Sequence, residues 1–414
     1  MDFRLQPRTE PGRRFVELAE VHAKEAAEHA AQHDQEGSFA FEVFEAMKAS
    51  GFMTGTVPVE FGGLGVASSY DLAVALCRLG AGDGSIAIAA TMHLDFGLIV
   101  ARMLRRAREE NNEEAIAAFE GYLTLLGSGA IGMANITEPG TDIRHPLVEA
   151  TRVDEGWAID GRKIFSTLSP LADLFYVSLR ARRDDGSWAE GYGLVPRDTP
   201  GQRILDNWDA VGMRASGSHD VVYEHCVVPD EFVTLGSAWG DWNEELFVIG
   251  TIGQMGLVAT FVGIAEAAHG YALELARTRK KAPSGRPIAE RSGIQYQVAE
   301  SEADLVTVRA LIERVGRILD QRLLETSPSE VTMEELHELE REFQAAKLVI
   351  NRKCIDIVDR ALTISGGAGY LSNNVLSRLY RDVRAGPFMQ PFSPNEAYQY
   401  IGQVALGLPP RLDD

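Results

Sequence analysis

Hydrophobic and polar positions follow three different rhythms along this chain, and the changes of rhythm divide it. From about Pro11 to Tyr122 apolar residues recur at helical spacing. FEVFEAMKASGF ends at Gly51, and DLAVALCRLGAGDGSIAIAATMHLDFGLIVARML is apolar enough to be buried on more than one face. From about Leu123 to Val233 the pattern turns to alternation and turn residues. Asp160 and Gly161 stand between the strand-like halves of GWAIDGRKIF and predict a hairpin, as do Asp185 and Gly186 in RRDDGSW. In DVVYEHCVVP a period of two places Val221, Tyr223, His225 and Val227 on one face and Val222, Glu224, Cys226 and Val228 on the other. From about Trp239 helical spacing returns. Leu305, Val308, Ile312, Val315, Ile318 and Leu323 form one stripe, and Leu348, Ile355, Val358 and Leu362 another. KKAPSGRPIAERSG predicts a loop between long helices. The pattern is that of an α+β chain of three units: an N-terminal helical domain at 1–122, a middle antiparallel β-domain at 123–235 and a long-helix, four-helix bundle at 236–414.

Composition changes this picture little. At 414 residues the chain exceeds one core of usual size, which suits several packed units. With 45% apolar and 24% charged residues, and no run of about 18 apolar residues, no membrane span is expected. MDFRLQPRTEPGRRF lacks the apolar stretch of a secretory signal, so the cytoplasm is the expected compartment. A formal charge of -20 repels phosphate backbones and argues against a nucleic-acid partner. Cys77, Cys226 and Cys354 are far apart and unpaired in sequence, which fits core positions rather than a disulfide framework or a zinc site. His22, His29 and His33 share one helical face, but VHAKEAAEHAAQHDQE reads as a solvated face, so no metal is expected. GSGAIG at Gly127 to Gly132 matches GxGxxG, yet MANITEPG after it does not open a helix, so a dinucleotide turn is not expected.

Five motifs in order then give the chain a likeness. PVEFGGLGV (Pro58 to Val66) is similar to a Pro-x-x-x-Gly-Gly-x-Gly turn, and ITEPGTD (Ile136 to Asp142) to a Thr-Glu-Pro-Gly loop. DGRKIFST (Asp160 to Thr167) is similar to a segment that lies against a flavin ring, GMRASGSHDVVYEHCVVP (Gly212 to Pro229) to a strand pair ending in Val-Pro, and ISGGAGYLSNNVLSRLYRD (Ile364 to Asp382) to a flavin-contacting turn and helix. Together they resemble the acyl-CoA dehydrogenase superfamily over nearly the whole chain. The resemblance implies a flavin, FAD by family habit with FMN open, in a cleft between the β-domain and the bundle of a homodimer or homotetramer. By motif, Phe165 would pack on the isoalloxazine, and Thr137 and Thr167 would serve its polar edge. Arg279 would meet the pyrophosphate, and Gly366 and Gly367 would let a neighbouring subunit approach the adenine half. Taken singly, Phe165 also suits a core, Arg279 a surface charge and the glycines a helix end.

The likeness departs from pattern where the dehydrogenases keep their carboxylate base. Eight residues beyond Asp382 stands Gln390, and the alternative location falls at about Gly253 or Gln254. None can take a proton at accessible pH. The loop after ITEPG is two residues shorter than the common form, which bears on coenzyme A. GMRASGSHD and IGQVALGLPP resemble instead a branch of flavin monooxygenases and N-oxygenases, which take reduced flavin from a separate flavin reductase and need no such base. The first reading is therefore an oxygenase acting on a small molecule or carrier-bound acyl group. His93, Ser166, Thr167 and Ser218 would surround the reacting centre, and Phe388, Met389, Gln390 and Phe392 would make a dry wall or simply pack the bundle end. The second is an acyl-thioester dehydrogenase with an unusual base, Glu244 or Glu245, and the third a flavin-binding subunit without catalysis.

Overall fold

The structure is a computed structural model that describes residues 3–389 and 391–412. Five helices come first: α1 (Glu10–Glu36), α2 (Phe41–Ala49), α3 (Ser69–Gly82), α4 (Gly84–Glu110) and α5 (Glu113–Gly127). Eight strands follow: β1 (Gly132–Asn135), β2 (Glu149–Val153), β3 (Gly156–Ser166), β4 (Leu174–Arg182), β5 (Trp188–Pro196), β6 (Gln202–Ile204), β7 (His219–Val228) and β8 (Val233–Ala238). Helices α6 (Glu244–Thr278), α7 (Ser292–Leu319), α8 (Met333–Ser365), α9 (Val375–Val383) and α10 (Pro394–Ala405) close the chain. Helix α5 carries the first unit through Gly127, and the last strand ends at Ala238.

The long apolar run between Asp71 and Leu104 becomes two helices because Asp83 interrupts it. Its carboxylate accepts the backbone N–H groups of Ser85 and Ile86 at 2.7 and 3.1 Å and so starts α4. Against the expectation from sequence, α4 and α6 are each long and apolar enough, by length and composition, to cross a membrane. Inside the protein 83% and 89% of those windows are buried, so this apolar surface is used in packing. Helices α3 and α6 approach most closely where both lack a side chain. A Cβ on Gly263 would stand 2.1 Å from the Cys77 carbonyl oxygen, and one on Gly80 2.7 Å from that of Thr260. This crossing joins the N-terminal helices to the bundle in one core. Of the four helices expected there, three are long, while α10 has 12 residues and packs along α8.

The sheet is mixed rather than antiparallel. Its order is β6-β7-β3-β2-β4-β5-β8, and β1 and β2 both pair with β4 in parallel. The hairpin at Asp185 and Gly186 forms between β4 and β5, with Gly186 at φ 83°. Asp160 and Gly161 instead lie inside the single strand β3, where a bulge shifts the register against β7. The extra residue is on β7. His225 takes φ 54° and donates its N–H to Asp160 Oδ1 at 2.8 Å, so the alternation changes phase. Val221 and Tyr223 before it and Cys226 and Val228 after it are all buried.

In α8 the buried stripe is Phe343, Ile350, Ile357 and Ile364, whereas the expected Leu348, Ile355 and Leu362 sit at its edge, half-buried. His22 and His33 of α1 are buried, not solvated. His22 bonds Glu25 and Ser50, and His33 bonds Ser38 and Glu42. His29, His33 and Glu42 bring ligand atoms within 4.8 Å of one another.

Valine at Gly263 should separate α3 from α6. We expect it to cost about 1–3 kcal/mol or more by thermal unfolding. Gly270 on the same helix has open space, so Gly270→Ala should be neutral or stabilising by up to about 1 kcal/mol. Equal melting of the two variants would remove the crossing from this role.

Candidate flavin cleft and an acidic cavity

The end of β1, the end of β3 and the start of β7 meet at one edge of the sheet. A buried ion pair holds them. Lys163, fully buried, donates to Glu138 Oε1 at 2.5 Å, to Ser178 Oγ at 2.8 Å and to the Ile136 carbonyl at 3.1 Å. Glu138 also accepts the N–H groups of Leu147 and Val148. Burial lowers the Lys163 pKa to about 8, against the pull of Glu138. The Thr-Glu-Pro-Gly loop is thereby fastened to β3 and β4, and the Ile164 N–H donates to the Thr137 carbonyl at 2.9 Å.

Past this anchor β3 turns sharply. Phe165 has φ 52° and Leu168 φ 75°, and the Thr167 N–H reaches back to the Phe165 carbonyl at 2.8 Å. A left-handed conformation costs a residue with a side chain about 1–3 kcal/mol. Here it leaves Phe165 58% exposed, edge-on to Trp208 with ring centroids 5.8 Å apart. Beside it Thr167 Oγ1 lies 2.8 Å from Ser218 Oγ, which lies 2.6 Å from Ser216 Oγ. Phe165, Thr137, Thr167 and Ser218 thus share one edge.

Ser166 points the other way. It is buried and donates to Asn135 Oδ1 at 2.8 Å, and Asn135 donates to the Tyr223 hydroxyl at 2.9 Å. His93 is also behind the wall. Its Nδ1 accepts the Gly132 N–H at 3.1 Å, so its Nε2–H donates to the Met53 carbonyl at 2.7 Å. Burial lowers its pKa, consistent with a neutral ring. His93 touches β1 at its first residue and Ser166 touches it at its last, about 10 Å apart by strand rise. The two do not form one cluster with Ser218.

Arg279 caps α6 and donates to the Ser365 carbonyl at 2.5 Å, which brings it beside Gly366 at the end of α8. A guanidinium there suits the negative ends of two helices. Gly366 has φ 62° and ψ −156°, which glycine alone adopts readily, and a Cβ on Gly366 or Gly367 would meet nothing within 4 Å. Both glycines of this turn are exposed.

The stretch after Asp382 serves several purposes. Asp382 accepts the Met213 N–H at 2.7 Å, and Arg381 binds Asp34 and the Val211 carbonyl. The loop at 211–214 is thereby docked on α9 and α1. Met389 offers its carbonyl to buried Lys347. Phe388 is 66% exposed, but Phe392 is core, stacked on Tyr400 with centroids 5.0 Å apart, so it is no part of a wall over a cleft. Gln390 lies outside the described residues. Gln254, at the alternative base location, is buried with its Oε1 unbonded among the described residues.

A cavity of about 550 Å³ opens between β5, β8 and the start of α6. Glu190, Tyr192 and Glu245 line it. Glu190 is 2% exposed, and its Oε2 accepts from Asn243 at 2.6 Å and Ser237 at 3.3 Å. The Tyr192 hydroxyl also interacts with this carboxyl. Glu245 is enclosed by protein although part of it faces the cavity, and it accepts from the Tyr176 hydroxyl at 2.6 Å. Burial raises both carboxyls to about 7. Glu244 differs: Arg102 and Arg106 neutralise it. Sequence reading missed Glu190, Tyr192 and Tyr176. The available signal was period two in WAEGYGLV, which puts a carboxylate and a phenol on the face of Leu194.

Family descriptions match the chain in order. The acyl-CoA dehydrogenase N-terminal domain matches residues 14–118, the middle domain 130–226 and the C-terminal domain 255–392. The chain belongs to the acyl-CoA dehydrogenase family. It is 34% identical over 409 residues to the L-evernosamine nitrososynthase of a Micromonospora species, covering 97% of this chain and 92% of that protein. It is 32% identical over 402 residues to the amino sugar nitrososynthase of Streptomyces peucetius, covering 97% and 95%. Among solved structures, KijD3 in complex with FMN and dTDP-3-amino-2,3,6-trideoxy-4-keto-3-methyl-D-glucose superposes with a TM-score of 0.89 at 32% identity, over 99% of this chain and 96% of that one. This acyl-CoA dehydrogenase family member is a flavin-dependent oxidoreductase. The residues fit such a group: an exposed, conformationally strained aromatic beside hydroxyls, and a glycine turn with free space.

Two outcomes follow from the site. Lys163→Met should leave Glu138 buried without its cation and cost about 3–5 kcal/mol by denaturant unfolding, with Glu138→Gln in the same chain restoring part of it. The Glu245 carboxyl is held near 7 in the folded protein and about 4.3 in an unfolded chain. Its stabilising contribution is therefore complete below the lower value and lost as pH rises through 7. Glu245→Gln should raise the melting temperature by a few degrees at about pH 8 and leave it little changed at about pH 4. An equal shift at both pH values would mean that the carboxyl titrates normally.

Proposed function

We propose that this protein is an N-oxygenase that uses a reduced flavin and O2 to oxidise the primary amine of an amino sugar carried on a nucleotide. The observation that carries this reading is its likeness, from end to end, to KijD3, whose structure holds FMN together with an amino sugar nucleotide. Two nitrososynthases with equally complete coverage support it. The bases of a thioester dehydrogenase have no counterpart, since Gly253, Gln254 and Gln390 stand at their locations.

A bound reduced flavin supplies two electrons to O2 and thereby the oxygen atom to be inserted. The chain's own groups bind and orient. Phe165, held outward by its left-handed backbone, packs on the flavin ring, and Thr137, Thr167 and Ser218 serve its polar edge. We take the flavin as FAD, with Arg279 at its pyrophosphate. A second copy of the chain, in a dimer or dimer of dimers, approaches Gly366 and Gly367, next to which Tyr370 is 82% exposed. A monomer by sedimentation velocity would remove that contact. The electrons come from a separate reductase. GSGAIG supports this assignment, because it joins the end of α5 to the start of β1, the reverse of the strand-to-helix order of a nicotinamide turn.

The test is turnover with a dTDP-3-amino sugar, a flavin reductase with NADH, and FAD or FMN in parallel. We expect a product that has gained oxygen on nitrogen, and a fall of roughly tenfold or more with Phe165→Ala. If there is no such product, and butyryl-CoA bleaches the oxidised flavin under anaerobic conditions, the protein is a dehydrogenase instead. Neither response would mark a flavin-binding subunit without catalysis.

A further inference from the structure

The end of α1 meets the start of α2 at a side-chain cluster that neither the flavin cleft nor the acidic cavity uses. We propose that His29, His33 and Glu42 form a binding site for one divalent transition-metal ion, zinc by the ligand set, which is completed by water and ties the two helices together. The site is independent of the oxygenase reading.

The local fold assembles the three ligands. His29 and His33 are four residues apart, so α1 presents both rings on one face, with centroids 6.3 Å apart. Gly37, at φ 67°, ends α1, and after Ser38, Phe39 and Ala40 the chain starts α2, whose first turn carries Glu42. Glu42 Oε1 thereby lies 2.6 Å from His33 Nε2 and 3.5 Å from His29 Nδ1, and one ligand atom of each side chain falls within 4.8 Å of the others. Two donors of a tetrahedral zinc stand about 3.3 Å apart, so the shortest of these contacts has to open by only about 0.7 Å. The side chains of His29 and Glu42 are 38% and 46% exposed and free to make that shift. His33 is buried and stays in place.

The hydrogen bonds around His33 favour a cation. Ser38 Oγ–H donates to Glu36 Oε2 at 3.1 Å, so its oxygen accepts from His33 Nδ1–H at 2.8 Å. Nε2 then turns its lone pair towards a carboxylate oxygen 2.6 Å away, which is repulsive unless a second proton or a metal ion lies between them. A proton joins His33 to Glu42 alone. A metal ion satisfies the same pair and also engages His29. An imidazole fixed through Nδ1–H by a neighbouring oxygen is in the orientation that a metal-bound ring takes. His33 lies in the last turn of α1, where the helix dipole favours positive charge. Two imidazoles and one carboxylate suit zinc, whereas magnesium and calcium take oxygen ligands.

The clamp reaches towards the flavin edge. Asp34, next to His33, offers its carbonyl to Arg214 Nε at 2.7 Å and its carboxylate to Arg381. A Cβ on Gly217 would stand 2.7 Å from the Phe39 ring, so the turn between α1 and α2 packs on the residue between Ser216 and Ser218. Fixing that turn braces the wall behind those hydroxyls.

Calorimetric titration of the full-length protein, freed of metal by a chelator, with ZnCl2 tests the site. We expect one equivalent bound with a dissociation constant of about 10 μM or tighter, a melting temperature raised by at least about 2 °C at saturating zinc, and no response to MgCl2. CoCl2 should give the visible absorption bands of four-coordinate cobalt. His29→Ala should weaken zinc binding at least about tenfold, as should Glu42→Gln, whereas His29→Cys should retain it through the thiolate. His225→Ala, at an exposed histidine on β7, should change nothing. Absence of stoichiometric zinc binding overturns the proposal. Binding that survives His29→Ala also overturns it, because the ion is then held elsewhere. Should Glu42→Gln fail to fold, the alanine and cysteine variants at His29 decide.

Discussion

The pair formed by Lys163 and Glu138 is the constraint on which the site depends. A fully buried ammonium is costly to desolvate, and only a short contact with a carboxylate and two further acceptors makes it tolerable. Those partners come from the loop after β1 and from β4, while Lys163 comes from β3. Satisfying one charge therefore fixes three segments. The strained turn at Phe165 to Leu168 begins two residues later, and its departure from ordinary backbone can persist because the preceding strand cannot yield.

A second set of contacts carries that edge to the helices. Asp382 and Arg381 hold the loop at 211–214, which leads into the hydroxyls of Ser216 and Ser218. The Arg-Asp pair of the last motif is thus a clamp between the sheet and α9. The residues after it serve the bundle: Met389 receives Lys347, and Phe392 enters the aromatic group of Trp242 and Tyr400. On either side of Gln390 the described residues are engaged in packing and docking contacts.

The acidic cavity shows the opposite economy. Glu190 and Glu245 are buried without an ion pair among the described residues and are held by hydrogen bonds from Asn243, Ser237 and Tyr176, whereas nearby Glu244 has two arginines. A fold selected for stability alone would pair them or replace them with apolar groups. Buried carboxyls whose pKa burial raises to about 7 mark a place where the chain has kept a destabilising arrangement, and such places tend to be functional.

The amino-acid sequence by itself determined the three units, their order and the flavin motifs, because periodicity and short turn signals are local properties that survive without neighbours. Motif order brought Thr137, Phe165 and Thr167 into view together, and they share one edge of the sheet, whereas Arg279 lies at the end of α6 beside Ser365. Local pattern could not show which way a side chain faces once a bulge intervenes. His225 shifts the phase of β7, and Gly161 continues a strand that its dipeptide suggested would turn back. It also could not show burial that depends on a partner far along the chain, so His93 and Ser166 looked reactive although distant backbone and Asn135 occupy them. The cavity was invisible for the same reason. Glu190 and Glu245 are 55 residues apart in numbering, and only the pairing of β5 with β8, which leads directly into α6, brings them to one space. Tertiary structure decided the desolvation of those groups, and desolvation sets their chemistry.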